Sequence, residues 1–251
     1  MRRAPVAVSL TVVAVVAACG GSTSVVATAT TTAVATTSPT PTTNPPPAGE
    51  PPVDYDGFRA QPTACGAQAP PAATPMQFPS AEDRGIRPGA TVTARIETSC
   101  GVIVVLLDQV ASPETVNSFV FLAQAGYFDG TAAHRVLPGF VIQAGDPTAT
   151  GTGDPGYVLP DELPPQGFVY ERGVLAMANA GPGTTGSQFF IMLGEAGLPP
   201  AYSAFGVVTE GDEVLDRIAA LPLGDRFTGS GVETSVPLET VYLERVTVDV
   251  G

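Results

Sequence analysis

The chain has 251 residues, of which 24 are Asp or Glu and 11 are Lys or Arg, so its formal net charge is −13. This acidity argues against electrostatic binding of nucleic acid or of an anionic lipid surface, and it suits a soluble envelope protein. A zinc site needs about three or four ligands. With one His and three Cys in the chain, a His/Cys metal centre is nearly excluded, and we expect neither a metal nor another cofactor.

The first segment has the layout of an export signal. Two arginines precede an apolar stretch from Val6 to Ala18, which is too short for a membrane span of about 20 residues. The letters "VAAC" before Gly20 resemble the bacterial lipoprotein box, in which the Cys becomes the lipidated first residue. We expect residues 1–18 to be a lipoprotein signal peptide and Cys19 to anchor the protein on the extracytoplasmic face of the cell membrane. The alternative is an ordinary signal peptide that is cut elsewhere.

The next two segments differ from a folded domain in composition. Residues 19–52 are mostly Thr, Ser, Ala and Pro, which predicts a disordered tether, and residues 53–87 form a Pro-rich lead segment. Cys65 lies in this lead segment, and Cys100 lies in the turn of a predicted hairpin. In an oxidising compartment such a pair is a candidate disulfide. Two unpaired thiols remain the alternative, because the sequence does not show whether the two Cα atoms approach within about 7 Å.

Residues 88–251 have the pattern of a folded domain. "ATVTARIE" and "VIVVLL" predict a β-hairpin, and "SPETVNSFVFLAQAG" predicts a helix with its N-cap at Ser112 and its end at Gly126. A second helix is predicted for "GDEVLDRIAAL". The remaining strands are predicted for "GFVIQAG", "GVLAMAN", "SQFFIML", "AFGVV" and "TVYLERVTVDV". Many short strands with two helices favour a single β-barrel closed over by helices rather than alternating α/β units.

Three other features resemble known functional sites, but the sequence around each argues against that function. "GTGDPG" at residues 151–156 matches a dinucleotide fingerprint, but the prolines that follow exclude the helix that such a site requires. The acidic side chains lack the spacing of a calcium loop, so we interpret them as a solvated acidic rim; they are Asp146, Asp154, Asp161 and Glu162. A Ser hydrolase would use His134, but Ser187 leads into a strand-like run and no G-x-S-x-G elbow is present.

Three longer blocks carry a family resemblance. They are "GYFDGTAAHRVLPGFVIQAGDPTATGTGDPGY", "GVLAMANAGPGTTGSQFFIML" and "AFGVVTEGDEVLDRI". In this order they resemble the signature blocks of the cyclophilin family of peptidyl-prolyl cis-trans isomerases, over residues 90–250. The resemblance implies a mainly β fold, a closed eight-stranded antiparallel barrel capped by two α-helices. It also implies an isomerase that binds proline-containing segments of secreted proteins, and we expect it to be a monomer.

The resemblance also assigns the site residues. Arg135 falls on the family's catalytic arginine, directly after His134. The positions of the pocket for the proline ring are Phe140, Val141 and Phe190, with Leu198 at the edge. The positions that bind the substrate backbone or orient the arginine are Gln143, Ala178, Asn179 and Gln188, and Tyr202 falls where the family commonly has His or Tyr. Ala133 replaces the usual Phe, and Gly197 or Leu198 replaces the rim Trp, which weakens the expectation of cyclosporin binding.

Elementary chemistry favours the arginine over the histidine. Twisting a peptide bond costs about 18–20 kcal/mol because resonance is lost. The prolyl nitrogen then regains a lone pair, so a donor aimed at it stabilises the twisted state more than the planar one. No proton has to move, and a permanently charged guanidinium suits this role. We therefore assign catalysis to Arg135, with Gln143 as its partner and His134 as a supporting hydrogen-bonder or a purely structural residue. A prolyl-peptide chaperone or scaffold without turnover is the alternative function.

Overall fold

The structure is a computed structural model that describes residues 51–251. The expected signal peptide, Cys19 and nearly all of the expected tether lie outside the described residues. Within residues 51–251, none of the helices combines the length and the apolar composition needed to cross a membrane.

The described residues fold mainly into β-strands. The strands are, in chain order, β1 (Val92–Thr98), β2 (Gly101–Leu107), β3 (Thr131–Ala132), β4 (Arg135–Leu137), β5 (Val141–Ala144), β6 (Val174–Met177), β7 (Phe189–Met192), β8 (Ala204–Glu210), β9 (Leu223–Thr228), β10 (Gly231–Pro237) and β11 (Tyr242–Val250). In this part of the chain, nine of them form one antiparallel sheet in the order β3-β11-β1-β2-β8-β6-β7-β5-β4, while β9 and β10 pair separately. The expected strands are all present.

The sheet curls around a core, so the expected mainly β architecture is correct. The strands at the two ends of the sheet order, β3 and β4, are separated in the chain only by Ala133 and His134. The sheet has nine strands where the resemblance implied eight, because this stretch forms two short strands on either side of those two residues. Closure into a barrel stays a prediction.

The two expected helices are present, and a third lies in the lead segment. The helices are α1 (Tyr55–Ala60), α2 (Pro113–Gln124) and α3 (Asp212–Ala219). Helix α2 ends before Gly126, whose φ of 73° favours glycine, as the sequence predicts.

The expected N-cap position of α2 at Ser112 is confirmed, but the side chain of this residue does not cap the helix. Ser112 stands at the N-cap position, but its hydroxyl donates instead to the carbonyl oxygen of Ala204 at 2.9 Å. The carboxylate of Glu162 accepts the backbone N–H groups of Glu114 and Thr115 at 2.9 and 2.8 Å. A remote carboxylate thus satisfies two unpaired helix donors and complements the positive end of the helix dipole.

The main core and a second apolar cluster lie on opposite faces of the same strands. Along β7, Phe189 and Ile191 pack into the main core, whereas Phe190 and Met192 belong to a separate apolar cluster. Successive side chains of a strand point to opposite faces, and this alternation separates the two sets. An uninterrupted apolar run in the sequence therefore serves two different surfaces.

The lead segment packs against the sheet. Phe58 of α1 is buried, and the hydroxyl of Tyr55 donates to the carbonyl oxygen of Gly130 at 2.8 Å. Cys65 is joined to Cys100 by a disulfide with an S–S distance of 2.00 Å and a Cα–Cα distance of 5.2 Å. The disulfide links the lead segment to the turn between β1 and β2.

Candidate active site

Three side chains from three strands stand in one row. Arg135 on β4 lies opposite Gln143 on β5, and Gln143 lies opposite Phe190 on β7. Residues directly opposite each other in antiparallel strands project to the same face of the sheet. Sheet register therefore brings together a cation, an amide and an aromatic ring that are up to 55 positions apart in the chain.

An apolar cluster lies beside this row. The expected pocket residues Phe140, Val141 and Leu198 lie in one cluster with Phe190, and Ala178 and Tyr202, which were assigned other roles, belong to the same cluster. The ring of Tyr202 meets that of Phe190 edge to face, with centroids 5.5 Å apart. The structure adds three buried members that the sequence analysis missed: Tyr170, Ala176 and Met192. Their signal was the two-residue alternation, since Met192 follows Phe190 by two positions.

The guanidinium of Arg135 forms a two-point ion pair that the sequence analysis missed. Its Nε and Nη2 atoms donate to the two carboxylate oxygens of Glu233 on β10, at 2.7 and 2.6 Å. The side-chain oxygen of Gln143, the expected partner, accepts from Nη1 over a longer distance of 3.4 Å. The guanidinium carbon also lies 5.6 Å from the ring centroid of Phe140. Hydrogen bonds from Arg135 lower the pKa of Glu233 to about 2, so the pair is charged at neutral pH.

Two of the expected amide residues, Gln143 and Gln188, are joined by a hydrogen bond, and the third, Asn179, bonds separately. The side-chain amide of Gln143 donates to the side-chain oxygen of Gln188 at 3.0 Å, and the amide of Gln188 donates to the carbonyl oxygen of Gly153 at 3.0 Å. The amide of Asn179 donates to the carbonyl oxygen of Ala201 at 2.9 Å. Gln143, Asn179 and Gln188 also line a cavity of about 380 Å³, which shares Ala178 with the apolar cluster.

His134 is buried, with an exposed fraction of 1%. Neither ring nitrogen has a hydrogen-bond partner among the described residues, which differs from the supporting hydrogen bond that we expected. Burial lowers the pKa of His134 to about 4; the charge of Asp146 opposes this change, and those of Arg226 and Arg135 reinforce it. The ring is therefore neutral at pH 7 and is part of the buried interior.

Asp146 is fully buried, so its assignment to a solvated rim is wrong. Its carboxylate accepts the backbone N–H groups of Thr148, Gly151 and Gly153 at 2.7 to 3.1 Å. Burial alone would raise the pKa of Asp146, but hydrogen bonds from the hydroxyl of Thr148 and from the backbone N–H groups of Gly153 and Thr148 outweigh burial and lower it. A Cβ at residue 153 would lie 2.0 Å from the Asp146 carboxylate, which explains that glycine in the loop. The glycine-rich stretch thus holds a carboxylate of its own chain and precedes no helix.

The fold and the site define a family. The model for the cyclophilin-type peptidyl-prolyl cis-trans isomerases matches residues 93–248. The chain therefore belongs to this family, as the resemblance of its sequence blocks indicated.

Individual relatives agree with this assignment. The chain is 36% identical over 195 residues to the probable peptidyl-prolyl cis-trans isomerase B of Mycobacterium leprae, covering 67% of this chain and 66% of that protein. It is 41% identical over 174 residues to peptidyl-prolyl cis-trans isomerase B of Streptomyces anulatus, covering 62% of this chain and 95% of that protein. The chain thus spans slightly less than two thirds of the length of the Mycobacterium leprae relative.

Solved structures show the same fold. A crystal structure of a Cryptosporidium parvum cyclophilin-type isomerase superposes with a TM-score of 0.57 at 30% identity, covering 64% of this chain and 98% of that one. A second crystal structure of that isomerase, in the presence of the dipeptide Ala-Pro, also has a TM-score of 0.57 at 31% identity, covering 62% of this chain and 98% of that one.

Proposed function

We propose that this protein is a peptidyl-prolyl cis-trans isomerase in which Arg135 stabilises the twisted X-Pro amide. The observation that carries the proposal is the row of Arg135, Gln143 and Phe190 beside an apolar cluster, on which we place the proline ring. Membership of the family supports it, as do relatives that are named isomerases. The crystal structure of a relative in the presence of Ala-Pro points to a prolyl dipeptide as the smallest ligand to test.

The geometry suits a reaction without proton transfer. Phe140 and Phe190 offer apolar surface for the proline ring, and the amides of Gln143 and Gln188 lie beside them. In the twisted state, the prolyl nitrogen accepts a hydrogen bond from Arg135 that it does not accept in the planar state. Only an interaction that strengthens in the transition state lowers the barrier. The neutral, buried His134 takes no part in this step.

We further propose that the substrates are proline-containing segments of exported proteins and that the protein acts as a monomer held at the outer face of the membrane by a lipid on Cys19. The lipoprotein box supports this location. Mass spectrometry of the membrane fraction should find a mature N-terminus at Cys19 with a lipid adduct. Recovery of full-length protein only in the soluble medium fraction, with Cys19 unmodified, would exclude the anchor.

A second candidate is a prolyl-peptide chaperone or scaffold without useful turnover. The observation that favours it is the ion pair with Glu233, which already engages two donors of Arg135. The buried Ala133, where the family has Phe, is a second departure from the family pattern. The two candidates share the pocket but differ in turnover.

Exchange NMR on a short X-Pro peptide separates these candidates with one sample. Catalytic amounts of the full-length protein should bring cis and trans signals into exchange, whereas a binder would shift the signals without accelerating exchange. Uncatalysed exchange takes tens to hundreds of seconds, which gives a slow background. Peptide binding with no acceleration at any protein concentration would establish the binding function and overturn the isomerase.

A further inference from the structure

The hairpin of β9 and β10 reaches the site from outside the strands that build it. Its contact with Arg135 is the two-point ion pair with Glu233, in which the side chains of both residues are 23% exposed. We propose that Glu233 is a positioning residue, which orients the guanidinium of Arg135 toward the prolyl nitrogen. This inference rests on the proposed function, because it gives Arg135 the role assigned there.

The donor count of the guanidinium supports an orienting role. A guanidinium has five N–H groups in a fixed plane. Glu233 engages two of them, on Nε and Nη2, and Gln143 engages one on Nη1. Two N–H groups remain, one on Nη1 and one on Nη2. The carboxylate therefore pairs with the edge of the guanidinium that contains Nε. The two remaining N–H groups, on Nη1 and Nη2, are available to the substrate.

The carboxylate is itself held in place. The hydroxyl of Ser235 donates to a carboxylate oxygen of Glu233 at 2.6 Å. Arg226 on β9 stands directly opposite Glu233 in the hairpin register and adds a second positive charge nearby. Val236 fixes the hairpin to the body of the protein, since it is buried in a cluster with Phe58 and Ala132. The holder of Arg135 is thus anchored through both its side chain and its strand.

Orientation matters because the Arg side chain is long. A free Arg side chain has about 2 kcal/mol of rotamer entropy. A donor that is already aimed before the reaction acts without reorganisation at the moment of reaction. The negative charge of Glu233 weakens the field of the guanidinium, so two effects oppose each other. We infer that orientation dominates, because the contact is bidentate and the carboxylate stays ionised.

The test compares Glu233→Gln with a matched control on the same hairpin. Asp225→Asn removes one negative charge as well, but the carboxylate of Asp225 contacts the hydroxyl of Thr234 at 2.5 Å and not Arg135. The rate of prolyl exchange in the bound complex and the peptide Kd are measured separately by NMR with the full-length protein. We expect Glu233→Gln to slow the bound step about 10-fold or more, as loss of an orienting partner does in metal sites. We expect its Kd to stay within about threefold of wild type, and Asp225→Asn to resemble wild type.

Two further variants show whether Glu233 acts through Arg135. Glu233→Asp keeps the charge on a shorter side chain and should give an intermediate rate. In an Arg135→Ala background, Glu233→Gln should cause no further loss. A bound rate for Glu233→Gln that equals or exceeds wild type would overturn the positioning role, as would an equal loss in Asp225→Asn. If Arg135→Ala itself kept full activity, the mechanism under the proposed function would be wrong. This result is distinct from a failure of the positioning role of Glu233 alone.

Discussion

The strands β4, β5 and β7 and the hairpin β9–β10 meet at Arg135 but are built differently. The strands belong to the nine-stranded sheet, in which β4 is the last strand of the order, and their register sets Arg135, Gln143 and Phe190 side by side. The hairpin is peripheral, and its Phe227 and Val232 are 89% and 58% exposed. The groups that would touch the substrate thus lie on strands of the main sheet, whereas Glu233, which we propose orients Arg135, lies on a hairpin with exposed apolar side chains. We therefore expect changes in the hairpin to alter catalysis without destabilising the main sheet.

The lead segment extends the comparison, because it contacts the fold but contributes no residue to the site. Replacing both Cys65 and Cys100 by Ala should lower the free energy of unfolding by about 3–4 kcal/mol in the chain-entropy model. Exchange rates of the folded variant should stay within about twofold of wild type, since the disulfide joins the lead segment to the β1–β2 turn. Denaturant titration and the exchange assay measure the two effects.

The control for this variant is the wild-type protein with and without a reductant. The reductant should lower the stability of wild type toward that of the double variant and leave the double variant unchanged. A double variant as stable as oxidised wild type would show that the disulfide does not stabilise the fold. A large loss of activity in a folded variant would show that the lead segment serves the site.

A second prediction concerns Arg135 on strand β4. Arg135→Lys keeps the positive charge but removes the planar fork that pairs with Glu233. We expect kcat/KM to fall by about 10- to 150-fold, equivalent to the ~1.5–3 kcal/mol of a hydrogen bond to a charged group. Circular dichroism should match that of wild type. If Lys retained more than half of the activity, charge alone would suffice and the fork would be unimportant.

A third prediction uses the buried ring behind Arg135. The folded-state pKa of His134 is lowered to about 4, whereas an exposed His titrates near 6.5. Between these two values the unfolded state binds more protons, so stability should fall as pH drops from about 6.5 to 4, by at most ~1.4 kcal/mol per pH unit. Denaturant titrations at several pH values measure this slope.

His134→Gln is the matched control for that slope. Between pH 4.5 and 6.5 the variant should lose most of the pH dependence, because the carboxyl groups with lowered pKa values, Glu233 and Asp146, weaken the fold only at lower pH. An unchanged slope in the variant would mean that another group titrates in this window.

Much of the site was predictable because strand alternation and the signature blocks lie within the local sequence. The strands around Phe190 and the positions of Arg135 and Gln143 followed from short patterns. Glu233 did not, because its partner is 98 residues away and our sequence analysis assigned no strand to residues 221–238. A signal was present: "TGSG" at residues 228–231 is a turn between stretches with alternating polarity.

Other misses have the same physical origin. Ser112 has the residue type of a helix cap, but a carboxylate 50 positions further along the chain, that of Glu162, takes that role. Asp146 looks like a surface acid in the sequence, yet backbone N–H groups of a glycine loop satisfy it and allow burial. Local sequence predicts elements, while long-range hydrogen bonds decide which polar side chains are buried.

The most direct test of the account compares Arg135→Ala with His134→Gln in one assay on one prolyl peptide. If a fixed charge stabilises the twisted amide, Arg135→Ala should lower kcat/KM by about 10- to 150-fold. His134→Gln should stay within a fewfold of wild type, because the ring is buried and neutral and no proton moves. Loss of activity in a folded His134→Gln protein, with most of the activity kept in Arg135→Ala, would contradict the electrostatic mechanism.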